Sequence, residues 1–107
     1  MTPLTKLFEP GRIGKLALRN RLVMAPIGNA VASDEGYVTQ RIIDYFVERA
    51  RGGVGLILSG GSSVLPHART PSAMWVYDDK FIPGLSRLAA AVHSYNIPMG
   101  IQLNHCL

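Results

Sequence analysis

The stretch Asn20-Arg-Leu-Val-Met-Ala-Pro-Ile-Gly28 is a short apolar run that stops abruptly at Pro26 and Gly28. Two further apolar runs follow, Val54 to Gly61 and Pro98 to Leu103, each separated from the one before by a helix-like segment. The order is strand, helix, strand, helix, strand. Runs that are nearly continuous in hydrophobic residues, rather than alternating, are buried on both faces, as parallel strands covered by helices must be. Asn20 to Gly28 is therefore predicted to be the first strand of a parallel β/α array, whose C-terminal strand ends form the natural ligand side.

Before this strand, Leu7 to Leu18 holds Pro10, Gly11 and Gly14 between short apolar pieces, which suits a small hairpin or an irregular lead-in. After it, Asn29 to Gly36 is a polar loop in which Ser33, Asp34, Glu35 and Gly36 supply turn chemistry. Thr39 can then cap a helix from about Gln40 to Arg51, since its hydroxyl can accept a bond from a first-turn N–H. Ile42, Ile43, Phe46, Val47 and Ala50 share one stripe of that helix and predict the face it turns to the sheet. Arg49 and Arg51 complement the dipole at its end, and Gly52-Gly53 stops it.

Ser59 to Pro71 is rich in Gly, Ser and Pro and is predicted to be a long ligand-side loop carrying His67 and Arg69. Asp78 and Asp79 lead into a second helix, from about Phe81 to Tyr95, with Pro83 in its first turn, where a missing N–H costs nothing. Its predicted buried stripe is Ile82, Leu85, Leu88, Ala89 and Val92. Asn96, tolerant of the left-handed conformation, ends the helix, and Pro98 opens the third strand.

At 107 residues, 48% hydrophobic and 17% charged, the composition is that of an ordinary folded domain, with room for one, spanning residues 1–107. The net charge is +4, but basic residues are spread from Lys6 to Arg87 with acids among them, a solvated surface rather than a nucleic-acid footprint. The single cysteine, Cys106, excludes an internal disulfide or a multi-cysteine metal site within these residues, and a reducing, cytoplasmic setting is the expectation. Met1 to Pro10 lacks the apolar core of a signal peptide. No apolar run approaches the roughly 18 to 20 residues that span a bilayer, so no membrane partner is expected.

Gly53-Val-Gly55 with Gly60-Gly61 does not make a nucleotide fingerprint, because the first pair comes before and within its strand and no P-loop lysine follows. Gly53 and Gly55 are read as structural. Gly60 and Gly61 stand at the strand's C-terminal end, where the lack of a side chain lets a flat ligand approach the backbone. Gln102, in Ile101-Gln-Leu-Asn-His105, is a polar amide in an apolar strand. It offers a donor and an acceptor suited to the edge of a heterocycle, or else is a satisfied core residue. Asn104 and His105 leave the same two readings open. His67 and His93 are read as loop and helix-surface residues and Cys106 as a small buried hydrophobe. The aromatics Tyr45, Phe46, Trp75, Tyr77 and Phe81 fit packing better than a stacking platform.

Taken in order, Leu7-Phe-Glu-Pro10, Leu18-Arg-Asn-Arg-Leu-Val-Met-Ala-Pro26, Gly36-Tyr-Val-Thr39, Arg49-Ala-Arg-Gly-Gly-Val-Gly-Leu-Ile57, Tyr77-Asp-Asp79, Phe81-Ile-Pro-Gly-Leu85 and Gln102-Leu-Asn-His105 carry a resemblance. The chain resembles the Old Yellow Enzyme family of FMN-dependent oxidoreductases, in its NADH:flavin oxidoreductase and 2,4-dienoyl-CoA reductase branch. The resemblance implies an α/β fold, the N-terminal three β/α strands of a (β/α)8 TIM barrel. It implies FMN as cofactor, NAD(P)H as reductant and a small α,β-unsaturated carbonyl as substrate. By position, Ala25, Pro26, Ile27 and Gly28 would lie beside the flavin ring, Gly61 would back it, and Gln102 would bond its pyrimidine edge. Gly28 stands where many relatives have Thr or Cys, so any tuning from that position would come from backbone.

The family's pattern after the third strand is met only by His105-Cys106-Leu107. The family's substrate-holding pair, proton donor, phosphate-binding strand ends and any iron–sulfur cysteines would belong to later sequence. A closed barrel usually takes about 250 residues, so the chain reads as truncated, with open sheet edges that invite association, including with copies of itself. A 107-residue polypeptide is accordingly expected not to reduce an enone. The alternatives are a non-catalytic fragment or binding module, and a flavin-free β/α-barrel enzyme.

Overall fold

A computed structural model describes residues 3–66 and 72–105. The readings of His67, Arg69 and Cys106 fall outside the described residues. Among the described residues, no helix is long and apolar enough to cross a membrane.

The chain opens with a single helical turn, α1 (Thr5–Phe8), and a hairpin of β1 (Gly11–Ile13) and β2 (Leu16–Leu18), paired antiparallel. Gly14 turns the hairpin at φ +56°, a conformation that L side chains resist. Then come β3 (Val23–Met24), α2 (Gln40–Arg51), β4 (Leu56–Ser63), a 3-10 turn (Asp79–Phe81), α3 (Ile82–His93) and β5 (Met99–Asn104). The three later strands form one parallel sheet in the order β3-β4-β5, as the alternating pattern predicts.

Helix α2 has the predicted limits. The Thr39 hydroxyl accepts from the Ile42 N–H at 3.2 Å and donates to the Val31 carbonyl at 2.6 Å, tying the cap to the preceding loop. Ile42, Ile43, Phe46 and Ala50 are buried, and they join Ile57 of β4 and Leu88 and Val92 of α3 in one core, with Ile97 beside them. Asn96 takes φ +57° after α3, as its residue type allows. The expectation of a buried Ile82 is overturned. It is 53% exposed, because the helix is entered through the 3-10 turn, in which Phe81 (2% exposed) rather than Ile82 turns inward.

The strand limits also differ from expectation. The ladder of β3 covers Val23 and Met24 alone, since Pro26 has no N–H to extend it. Asn20 is not a strand residue but a buried tie. Its amide donates to the Gly53 carbonyl at 2.7 Å, and its side-chain oxygen accepts from the Leu22 N–H at 3.1 Å. Gly55 has to be small because a Cβ there would come within 2.5 Å of the Asn20 carbonyl oxygen.

Strand β4 begins at Leu56 and continues to Ser63, well into the segment predicted to be loop. A register irregularity between Leu58 and Gly61 lets it go on pairing with β5 as far as Asn104. Ser63 is then held from its other side, donating its N–H to Met74 and accepting from Val76, both at 2.9 Å. Polar composition concealed this strand because Ser59 and Ser62, both fully buried, turn their hydroxyls onto the local Gly60 carbonyl.

Candidate functional site

The C-terminal ends of all three parallel strands open on one cavity of about 400 Å³. Ile27 and Gly28 reach it from beyond β3, Gly60 and Gly61 from β4, and Gln102 and Asn104 from β5. Phe46 of α2 and Met74 add apolar wall. Four of the residues singled out by sequence, Ile27, Gly28, Gly61 and Gln102, are thus brought together. Ala25, exposed, and Pro26, partly buried, stand one step before the cavity and do not line it.

The glycines prove to be unlike one another. A Cβ on Gly60 would collide with the carbonyl oxygen of Ile27 and come within 2.9 Å of its carbonyl carbon. A Cβ on Gly61 would press on the Asn104 side chain at 3.1–3.3 Å. Gly60 is therefore small because the Ile27 backbone passes close to it, whereas at Gly61, which lines the cavity, the Asn104 side chain would have to give by a few tenths of an ångström. Gly28 is different: a Cβ there meets nothing within 4 Å, and its backbone is not left-handed. Its missing side chain leaves space in the cavity.

Polar groups are sparse and suited to recognition. The Gln102 side chain is exposed to the cavity side and makes no hydrogen bond among the described residues. Its donor and acceptor are thus not satisfied by the described residues, unlike those of a core glutamine. Asn104 lies two residues on, on the same face of β5, as the twofold strand period requires. Among the described lining residues none carries a titratable side chain, and the described residues hold no group of three His, Cys, Asp or Glu that could bind a metal ion. His105 and His93 are exposed and outside the lining.

An aromatic group packs around Trp75, outside the cavity lining. The Trp75 ring lies against Gly36, which at φ +80° has no room for a side chain, and the Trp75 backbone N–H donates to the Gly36 carbonyl at 3.0 Å. Tyr37, Tyr77 and Phe81 complete the group, with ring centroids 5.0–5.9 Å apart. These aromatics pack on one another, as expected. Ala30 and Ser72, both in the lining, take left-handed conformations at φ +52° and +58°, and the Ala32 N–H donates to the Ser72 carbonyl at 3.0 Å. No local sequence signal announces these two.

Residues 6–106 match the model of the NADH:flavin oxidoreductase / NADH oxidase family. An NADH oxidase from Thermoanaerobacter brockii is 45% identical over 107 residues, which is 98% of this chain and 16% of that protein. Among solved structures, the old yellow enzyme homologue from Zymomonas mobilis superposes with a TM-score of 0.86 at 28% identity, over 94% of this chain and 28% of the other. The old yellow enzyme from Trypanosoma cruzi superposes with a TM-score of 0.85 at 29% identity, over 94% and 27%. The chain thus spans about a sixth of that curated relative and under a third of these barrels.

Proposed function

The chain belongs to the NADH:flavin oxidoreductase / NADH oxidase family, of the Old Yellow Enzyme type, and on that footing we propose that it supplies the flavin-ring site of an FMN-dependent oxidoreductase. The proposed reaction passes hydride from NAD(P)H, through the flavin, to an alkene activated by a carbonyl, as in an enone or a dienoyl thioester. The observation that carries this reading is the convergence of three parallel strand ends on one cavity where the Gln102 carboxamide has no partner among the described residues.

The residues present fit a flat heterocycle. Gln102 offers one donor and one acceptor to a ring edge of alternating polarity. The Gly28 N–H also makes no hydrogen bond among the described residues, so it is available to donate to the same ring. Ile27 and Gly61 give walls of small relief, while Ala25 and Pro26 hold the approach to them. Phe46 and Met74, 1% and 6% exposed, keep the inner side of the cavity dry. FMN, when bound, supplies the hydride chemistry, and the protein's share is positioning and electronic tuning.

A second reading, a binding fragment without turnover, is favoured by one observation: no titratable side chain lines the cavity among the described residues. Titration of the purified protein with FMN, followed by flavin fluorescence, tests the flavin site. Saturable binding that weakens by about tenfold in Gln102→Leu is expected, the loss of one or two net hydrogen bonds. Absence of saturable binding, or equal affinity in the variant, would sink the assignment of Gln102.

A further inference from the structure

The excess positive charge of the chain is gathered at one end of its sequence. Residues 1–21 hold five basic side chains, Lys6, Arg12, Lys15, Arg19 and Arg21, and one acid, Glu9, a net +4, while residues 22–107 hold six of each sign and sum to zero. All five cations are exposed. Glu9 is shared by Lys6 and Arg21, at 3.3 and 3.6 Å, and Arg12, Lys15 and Arg19 form no ion pair among the described residues.

These residues lie at the end of the sheet opposite the cavity. Asn20 bonds the Gly53 carbonyl ahead of β4, and the Arg19 guanidinium donates to the Tyr95 carbonyl ahead of β5 at 3.3 Å. Helix α1 is tied to the same place, since the Arg21 N–H donates to the Leu7 carbonyl at 2.9 Å. Apolar side chains are interleaved with the cations: Leu4 and Phe8 are 69% and 61% exposed, and Ile13 and Leu16 of the hairpin are exposed too. Pro3, Leu4 and Leu7, with Lys6 and Arg21, wall an open groove of about 650 Å³.

We propose that this end of the molecule is a docking surface for an acidic polypeptide segment of another protein, which sets an apolar side chain into the groove and spreads carboxylates over the surrounding cations. Two features select this occupant. The charge calls for an anion, and cations without internal partners steer and hold one with no ion pair to break. The groove calls for an apolar anchor, since interfaces draw much of their affinity from a side chain seated in a pocket and ringed by polar contacts. A nucleic-acid duplex supplies the charge without the anchor. A lipid surface meets a protein on its protruding parts, whereas the apolar groove here is concave.

The test is fluorescence anisotropy of a labelled short peptide of leucines spaced by glutamates, added to the 107-residue protein at low salt. Saturable binding is expected. It should weaken about tenfold when serines replace the probe's leucines, and also when salt is raised to about 1 M, where the Debye length falls to about 3 Å. Arg12→Glu combined with Lys15→Glu cancels the local +4 and should weaken binding about tenfold. Arg41→Glu combined with Lys80→Glu makes the same change in total charge at the starts of α2 and α3, the cavity end, and should leave binding within about twofold. Leu4→Ser should weaken it about three- to tenfold. Every replaced side chain is exposed, so the fold is not at stake.

No saturable binding, equal binding of the serine peptide, or equal losses in the two double variants overturns the proposal. Phosphatidylserine vesicles or a DNA duplex that bind where the peptide does not, and are lost in the Arg12 and Lys15 double variant, overturn it in favour of that partner. A dimer in sedimentation velocity that Leu4→Ser dissolves overturns it in favour of a second copy of the chain.

Discussion

The α-carbon of Gly60 faces the carbonyl oxygen of Ile27 so closely that a methyl group there would overlap it. This contact sets the separation of β4 from the segment that carries Gly28 into the cavity. Gly60→Ala should therefore shift Ile27 and cost about 1–3 kcal/mol, the range for forcing an extra group into a packed site. Gly28→Ala, with open space around it, should change stability by no more than about 0.5 kcal/mol. Urea denaturation of the two variants checks the contrast, and equal losses would contradict it.

Asn20 joins the entry of β3 to the turn before β4, 33 residues away, by its bond to the Gly53 carbonyl. At 7% exposure, water cannot readily take over either of its bonds. Asn20→Ala is expected to cost about 1–3 kcal/mol, because the Gly53 carbonyl and the Leu22 N–H both lose a partner. Asn20→Asp should recover none of that loss, since its second carboxylate oxygen faces the Gly53 carbonyl with no proton to donate and its charge is buried. Thermal unfolding midpoints of both variants below wild type, with Asp no higher than Ala, are the expected result.

Thr39 caps α2 and holds the Val31 carbonyl with the same hydroxyl. Thr39→Ala should cost about 1–2 kcal/mol, the upper part of the usual range for a cap. Thr39→Ser, which keeps the hydroxyl, should lie close to wild type. Circular dichroism during thermal unfolding would show it, and a serine variant as weak as the alanine one would point to the methyl group instead.

The cavity walls contributed by the described residues include amides, glycines and apolar groups but no acid or base. The 107-residue polypeptide is accordingly expected to show no reduction of 2-cyclohexenone with NADH or NADPH above a flavin-only control. Turnover above that control, with protein of confirmed mass, would show that the described walls suffice for protonation.

Much of the architecture was legible locally. The limits of α2 could be read to the residue because a cap, an apolar stripe and a double glycine all act within a few residues of the helix they bound. The parallel order of the strands followed from apolar runs without alternation, which only a sheet covered on both faces accommodates. Gln102 stood out for a similar reason, as an amide in such a run.

Other features depended on which distant residues come together. The ladder of β3 is shorter than its apolar run because Pro26 cannot donate, while β4 outlasts its own because β5, Met74 and Val76 supply partners from 11 to 41 residues away. The dual nature of the glycines was hidden for the same reason: Gly60 and Gly61 answer to Ile27 and Asn104, and only Gly28 is bare toward the cavity. Residue type and spacing thus settled the class of fold and pointed to the strand ends on which the cavity opens. Strand register and the close approach of backbones, which no local propensity encodes, decided which residues form the walls and placed Asn104 among them.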